Sequence, residues 1–201
     1  SSALGKYSVA TQNGASAIGA YAAATGFAST AVGVAADASG TQSVAVGRSA
    51  NSSGYNSTAV GSYSTASGQG AAALGPISQA SGDLSTAAGY SAFATGIAST
   101  AVGNTAAAYG AYSTAVGSNA YASGADASAF GAGAEATGDY SLAAGDRATA
   151  SAYASLALGT YSVASGIQSM AVGTAARATA SGSSPLGYYP AAFREGSTAL
   201  G

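Results

Sequence analysis

The side chains that could do chemistry in this sequence are few, and four of its seven acidic residues fall close together. These four are Asp126, Glu135, Asp139 and Asp146, with Arg147 beside the last. Grouped carboxylates can bind a cation, dock a charged partner, or serve as the two catalytic carboxyls of a glycosidase. Their spacing matches neither an EF-hand loop nor the Gly-Gly-x-Gly-x-Asp repeat of calcium-binding β-rolls. Surface solubility is therefore our interpretation, and nothing implies a cleft for hydrolysis.

The composition excludes imidazole and thiol chemistry. The 201 residues include no His and no Cys, which removes zinc–thiolate sites, disulfides and Ser-His-Asp or Cys-His catalysis. Five basic residues against seven acidic ones give a net charge of −2, without the basic patch that a nucleic-acid binder needs. We predict no metal site, no cofactor, no nucleic-acid partner and no enzymatic activity.

Aromatic side chains are the better candidates for recognition, because the chain has 13 tyrosines. The repeat described below places them at outward or turn positions, where an amphipathic ring can contact a partner. The alternative is that Tyr simply has a high β propensity and covers turns. The candidate ligand surface comprises Tyr7, Tyr21, Tyr63, Tyr161, Tyr188, Tyr189, Phe193 and Arg194.

A 14-residue repeat organises the whole chain without insertion or deletion. Fourteen units starting at Ser1 are followed by five residues that end at Gly201. Position 5 is Gly in every unit, position 3 is Ala except at Pro185, and position 10 is Ala except at Ser52. Small residues at alternate positions followed by Gly indicate short strands and turns rather than a coiled coil. The sequence predicts one all-β domain over 1–201, a parallel β-solenoid with two strands per 14-residue coil.

Side-chain alternation assigns a direction to each position. We expect the small residues at positions 1, 3, 5, 8, 10 and 12 to point into the coil, and positions 7, 9, 11 and 13 to face solvent. Position 4 has outward parity, yet it is always apolar. Its larger members are Leu4, Ile18, Val32, Val46, Val60, Leu74, Val102, Val116, Phe130, Leu158, Val172, Leu186 and Leu200, with Ala88 and Ala144 between them.

The apolar row at position 4 predicts self-association. A buried methyl group is worth about 0.8 kcal/mol, whereas ordering one residue costs about 1.5 kcal/mol. The few methyl groups inside a coil cannot offset fourteen ordered residues, and monomers rarely expose such a stripe. We therefore expect parallel copies to bury the row around a symmetry axis, in an obligate homo-oligomer.

The segments STAVG at 29–33, SVAVG at 43–47, STAVG at 99–103 and 113–117, and SMAVG at 169–173 carry a family resemblance. With the small-x-Ala-x-Gly halves that follow them, they resemble the YadA-like head repeats of trimeric autotransporter adhesins. The resemblance implies a left-handed β-roll, trimerisation through the apolar strand, and display on a Gram-negative cell projecting from its outer membrane. It also implies attachment to host cells, extracellular-matrix protein or glycan. No neck, stalk, anchor or signal peptide matches, so we expect a piece of a longer protein that is anchored through those missing regions.

One coil, 183–196, departs from the repeat. Pro185 and Pro190 occupy inward positions, where proline removes a backbone donor. We expect this coil either to be distorted or to bulge outward with Tyr188, Tyr189 and Phe193 on its surface. It is then either a binding feature or a transition to the next module.

Two other functions fit a solenoid less well than adhesion. An ice-binding solenoid would use threonine at position 2, as at Thr30, Thr58 and Thr86, but Val44, Leu142, Leu156 and Met170 interrupt that rank. An acyltransferase of the hexapeptide type would need a period divisible by six and usually a catalytic His. Ice binding remains the alternative to the adhesin interpretation.

Overall fold

The structure, a computed structural model describing residues 1–201, contains strands and turns and no helix. No segment therefore forms a helix long and apolar enough to cross a membrane. The chain divides into two compact units, 1–101 and 102–201. Every full coil in either unit has a three-residue strand at positions 2–4 and a two-residue strand at positions 9–10. The expectation of a single domain over 1–201 stays a prediction.

In each unit the three-residue strands form one sheet, called sheet A, and the two-residue strands form a second, called sheet B. The strands of sheet A are Ser2–Leu4, Ser16–Ile18, Thr30–Val32, Val44–Val46, Thr58–Val60, Ala72–Leu74, Thr86–Ala88, Thr100–Val102, Thr114–Val116, Ser128–Phe130, Leu142–Ala144, Leu156–Leu158, Met170–Val172, Ser184–Leu186 and Thr198–Leu200. The strands of sheet B are Val9–Ala10, Ala23–Ala24, Asp37–Ala38, Asn51–Ser52, Thr65–Ala66, Gln79–Ala80, Phe93–Ala94, Ala107–Ala108, Tyr121–Ala122, Glu135–Ala136, Thr149–Ala150, Val163–Ala164, Arg177–Ala178 and Ala191–Ala192.

Within each unit the strands pair in parallel with equivalent strands one coil away. In the first unit Ala31 pairs with Ala45 in sheet A, and Asp37 with Asn51 in sheet B. In the second unit Ala115 pairs with Ala129. Every pairing joins the same position of successive repeats, which confirms the predicted all-β parallel solenoid and its 14-residue coil.

The core of each coil is made of the smallest side chains. In the coil 29–42, Ser29, Ala31, Ala36 and Ala38 are completely buried. The Ser29 hydroxyl donates to the Gly26 carbonyl at 2.8 Å, so a turn of the backbone satisfies a polar atom inside the coil. This confirms the inward direction of positions 1, 3, 8 and 10, and the buried Gly40 confirms position 12.

Position 5 is not on the inward face, contrary to the sequence-based assignment. Strands of sheet A end at position 4, and the following Gly begins a turn with φ near +135°, as at Gly33 and Gly117. A Cβ on Gly117 would lie 2.4 Å from the carbonyl oxygen of Gly131 in the next coil. The glycine is therefore required by its backbone conformation and by stacking, not by a small space inside the coil.

Each coil closes through two tight turns with a left-handed residue. The Ser78 amide donates to the Gly75 carbonyl at 3.3 Å, and Ile77, the third residue of that turn, has φ of 60°. The second turn places position 14 in the same conformation, as at Asn56 with φ of 54°. A positive φ at the third residue is the mark of a type II turn, and Pro76 suits its second position.

The irregular coil 183–196 keeps both of its strands, Ser184–Leu186 and Ala191–Ala192. Pro185 and Pro190 are buried inside it. The strand Ser184–Leu186 pairs with the preceding strand of sheet A, Met170–Val172, only through Val172 and Leu186. The coil therefore stays in the solenoid, with a weakened ladder on one side.

Candidate functional site

The side chains at position 4 form the apolar column, which stands outside the coil. They project from the outer surface of sheet A, as their parity predicts. Ile18 is 48% exposed and Phe130 is 42% exposed, while Val32, Val46 and Leu158 are half-buried. Their neighbours along each strand, such as Ala31 and Ala129, are completely buried. The column therefore presents large apolar groups to solvent in the single chain.

The position-2 side chains form a second column beside the apolar column. Most are Thr or Ser and are half-buried, as at Thr86 and Thr114. Val44, Leu142 and Leu156 occupy the same column and are half-buried too. The threonine rank that ice binding would need is therefore broken in space as well as in sequence.

The candidate ligand residues at position 7 lie on an exposed turn between sheet A and sheet B. Tyr7 and Tyr21 stack on each other with ring centroids 5.2 Å apart, and the Lys6 amine lies 5.0 Å from the Tyr7 ring. The Arg147 guanidinium lies 5.6 Å from the Tyr161 ring and donates to its hydroxyl at 2.6 Å. Arg48 contacts Tyr63 in a similar way. The turn thus carries ordered aromatic and cationic groups rather than isolated rings.

The second group of candidate residues lies in the irregular coil. The rings of Tyr188 and Tyr189 meet edge to face with centroids 4.4 Å apart, and both are exposed. Tyr189 raises the pKa of Tyr188 above its ordinary value, through side-chain hydrogen bonding and then through charge repulsion. Phe193 is 65% exposed and Arg194 is exposed beside it in the chain. The eight candidates thus belong to several separate small groups, and not to one site.

The acidic residues do not form a metal centre. No three of them come close enough to hold a metal ion. The Asp139 carboxylate accepts a hydrogen bond from the Ala125 backbone amide at 2.9 Å. It therefore satisfies a turn amide of the preceding coil. Asp83 does the same for Gln69 at 2.9 Å in the first unit. Arg147 is engaged with Tyr161, as described above.

Sequence reasoning missed two further tyrosine pairs in the second unit. Tyr109 and Tyr121 have ring centroids 5.6 Å apart, as do Tyr140 and Tyr153. The members of each pair are separated in sequence by slightly less than one repeat. Because residues about one repeat apart lie in adjacent coils, that spacing was the signal that could have found them.

A comparison with known families decides where this fold belongs. The profile of the YadA head domain repeat matches residues 1–22, overlapping segments that together span 24–162, and 164–189. The chain belongs to the YadA head family. A solved structure described as the collagen-binding domain of the Yersinia adhesin YadA is 30% identical and has a TM-score of 0.42. That alignment covers 79% of this chain and 69% of the other. A search of curated proteins gave no match.

Membership of the YadA head family indicates what the chain is used for. The chain is a head domain of the trimeric autotransporter adhesins, as its repeat predicted. An adhesin head must present a surface to its target. Neither the family match nor the fold lends support to the ice-binding alternative.

Proposed function

We propose that this YadA-type head works as a homotrimer that attaches a Gram-negative bacterium to host cells or to extracellular matrix. The observation that carries the proposal is the apolar column on the outside of sheet A. Its side chains include Leu4, Ile18, Val60, Leu74 and Phe130, all exposed in the single chain.

The interior of the coil explains why the apolar column has to be covered. The buried side chains are almost all Ala and Ser, and the largest of them is Pro185. Fully burying a Val or Leu side chain contributes about 1.5–3 kcal/mol, which is more than an inward-facing Ala can provide. Copies that meet along sheet A would turn the apolar column into the main hydrophobic core of the assembly. Trimerisation is therefore part of folding in this proposal.

Attachment falls to the surfaces that trimerisation leaves free. These are the outer face of sheet B and the turns that carry the aromatic groups. Tyr and Arg are enriched in protein interfaces because each offers a large contact area and a polar end. The target is a matrix protein or a glycan at the host surface, and repeated display on three chains would add avidity to weak contacts.

Two measurements test this proposal. Light scattering should report a particle with three times the 18.6 kDa mass of one chain. The purified protein should then bind at least one member of a panel of immobilised matrix proteins and glycans, with collagen included because the solved YadA domain is described as binding it. A folded monomer would contradict the role of the apolar column, and a trimer that binds no panel member would contradict the attachment role.

A further inference from the structure

One coil in the second unit inverts the pattern of side-chain size that the coil before it shows on sheet A. Most coils combine Thr or Ser at position 2 with a larger aliphatic residue at position 4, as in Thr114 with Val116. The next coil has Ser128 with Phe130, which is the largest side chain of the apolar column. The coil after that has Leu142 with Ala144. The bulky group thus moves from position 4 to position 2 between neighbouring coils.

The structure places these four side chains on one patch of the outer surface. Ser128 pairs with Leu142 and Phe130 pairs with Ala144, so the strands of the two coils are adjacent and in register. Positions 2 and 4 of one coil are together called a row. Ala129 and Ala143 between them are completely buried, which directs the four outward. Phe130 is exposed, and Ser128, Leu142 and Ala144 are half-buried. The patch therefore has two bulges on one diagonal and two depressions on the other.

We propose that this patch sets the axial register of the homotrimer, an inference that rests on the proposed assembly. In a parallel cyclic assembly each contact is heterologous, so two different surfaces of the chain meet. Positions 2 and 4 lie side by side on the outer face of sheet A, and the proposal pairs position 4 of one copy with position 2 of the next. At zero offset Phe130 meets the partner's Ser128, and Ala144 meets the partner's Leu142. A large group then faces a small one in both rows, which is how well-packed cores interdigitate.

An offset of one coil destroys this match. If one copy shifts along the axis, it moves forward against one neighbour and backward against the other. Phe130 then meets the partner's Leu142 at one interface, which is overpacked. Ala144 meets the partner's Ser128 at the other interface, which leaves a cavity. The neighbouring pairs Thr100 with Val102 and Thr114 with Val116 are identical, so contacts between these two coils do not distinguish the two registers.

The absence of cysteine from the chain allows the register to be measured by disulfide trapping. One chain carries Val172→Cys, and a second chain of different tag length carries either Met170→Cys in the same row or Ser184→Cys in the next coil. The two chains are refolded together and oxidised, and the mixed disulfide is quantified. We expect the Val172→Cys chain to link to the Met170→Cys chain, with at least about tenfold less linkage to the Ser184→Cys chain.

A levelled variant removes the size inversion. It combines Phe130→Val, Leu142→Thr and Ala144→Val, which gives Ser with Val in the first coil and Thr with Val in the second, close to the Thr114 with Val116 pair of a coil that already folds. Linkage to the Ser184→Cys chain should rise about tenfold in this background, to a yield comparable with linkage to Met170→Cys. The matched control, Glu135→Thr with Thr149→Val, changes sheet B of the same two coils and should keep the native linkage pattern.

Light scattering on the same samples separates the two proposals. A monomer would remove the trimer and the register proposal with it. A trimer whose linkage pattern is identical in the native and levelled backgrounds would overturn the register proposal alone. A trimer in which neither cysteine pair links would show that positions 4 and 2 do not face each other, and would overturn it as well.

Discussion

Sheet A and sheet B of the same coil share one interior and present opposite kinds of exterior. Their inward residues are equally small, as Ala115 in sheet A and Ala122 in sheet B of one coil illustrate. On the outside, position 4 of sheet A is apolar in every coil. Position 9 of sheet B varies from Asp37 to Phe93 to Arg177. The interior thus fixes the fold, and the exteriors distinguish an apolar face from a face of variable composition.

The comparison also separates what glycine does in the two halves of a coil. Position 5, after sheet A, is always Gly, whereas position 12, after sheet B, is Ala at Ala152 and Ala180. Both positions lie close to the backbone of the next coil. Only position 5 also has a φ near +135°, a backbone conformation that residues other than glycine avoid. The turn after sheet A is therefore the more constrained of the two.

A charge placed on each exterior gives the largest expected difference. Val116→Asp introduces a carboxylate on the apolar face of every copy, and an unpaired buried charge costs about 3–5 kcal/mol per chain. We expect this variant to lose the trimer or fail to fold. Gln79→Asp, on the exposed surface of sheet B, should change stability by less than about 0.5 kcal/mol. Light scattering and thermal unfolding measure both, and similar behaviour of the two variants would refute the distinction between the faces.

Alanine at the two glycine positions of one coil tests the constraint on the turns. In Gly117→Ala the new Cβ lies 2.4 Å from the Gly131 carbonyl oxygen and the backbone φ is +135°. Strain and crowding together should cost about 3 kcal/mol or more. In Gly124→Ala the new Cβ lies closer still, 2.1 Å from the Gly138 carbonyl oxygen, but φ is ordinary and Ala152 shows that this position accepts a Cβ, so about 1–2 kcal/mol is expected. Equal losses in chemical denaturation would mean that crowding alone decides.

Removing aromatic rings from the irregular coil should affect binding and leave assembly intact. Tyr188→Ala with Phe193→Ala deletes two exposed side chains that do not belong to the apolar column. If this surface contacts the target, affinity for the member of the matrix and glycan panel that the protein binds should fall about tenfold, as expected for an aromatic hot spot. Tyr55→Ala, at another exposed turn, is the matched control. An unchanged dissociation constant with an unchanged particle mass would assign recognition to another part of the exterior.

The repeat carried enough information to predict the solenoid and the direction of most side chains. Gly and Ala recur at fixed positions because the backbone of one coil lies against the next, so spacing in sequence translates directly into stacking. Position 4 could be placed outside the coil from parity alone, although its composition suggests a core. Position 5 could not be placed correctly, because a small residue looks the same whether it fills an interior or permits a turn.

The aromatic groups were harder to predict, since they depend on contacts between coils rather than on the repeat itself. Tyr161 and Arg147 occupy the same position of adjacent coils, and their hydrogen bond follows from the 14-residue spacing. Tyr109 and Tyr121 occupy different positions, so their contact depends on how each turn directs its side chain. Sequence spacing alone therefore predicts neighbours in register and misses diagonal ones.

The turn conformations were missed because their sequence signal is weak. Twenty-three residues other than Gly have positive φ. The sequence does not predict this conformation, because the third residue of a type II turn is normally Gly. The stacking ladder supplies the reason. The Ile77 amide donates to the Ser62 carbonyl of the preceding coil at 2.9 Å, and the Tyr63 amide donates to the Arg48 carbonyl at 2.9 Å. Hydrogen bonds between coils hold these residues in a conformation that their side chains disfavour.

The left-handed residue Ile77 isolates that strain and carries the smallest expected effect. A left-handed conformation costs a residue with a Cβ about 1–2 kcal/mol, and a mid-range cost of about 1.5 kcal/mol is taken for Ile77. Glycine removes this strain but loses about 0.5–1 kcal/mol of chain entropy. Ile77→Gly should therefore stabilise the protein by about 0.5–1 kcal/mol per chain. Ile167→Gly is the matched control, because Ile167 is also exposed and lacks a positive φ, and it should destabilise by a similar amount. Opposite shifts in the unfolding midpoint would locate the strain in the turn after sheet A, whereas two losses would mean that the ladder holds Ile77 without cost.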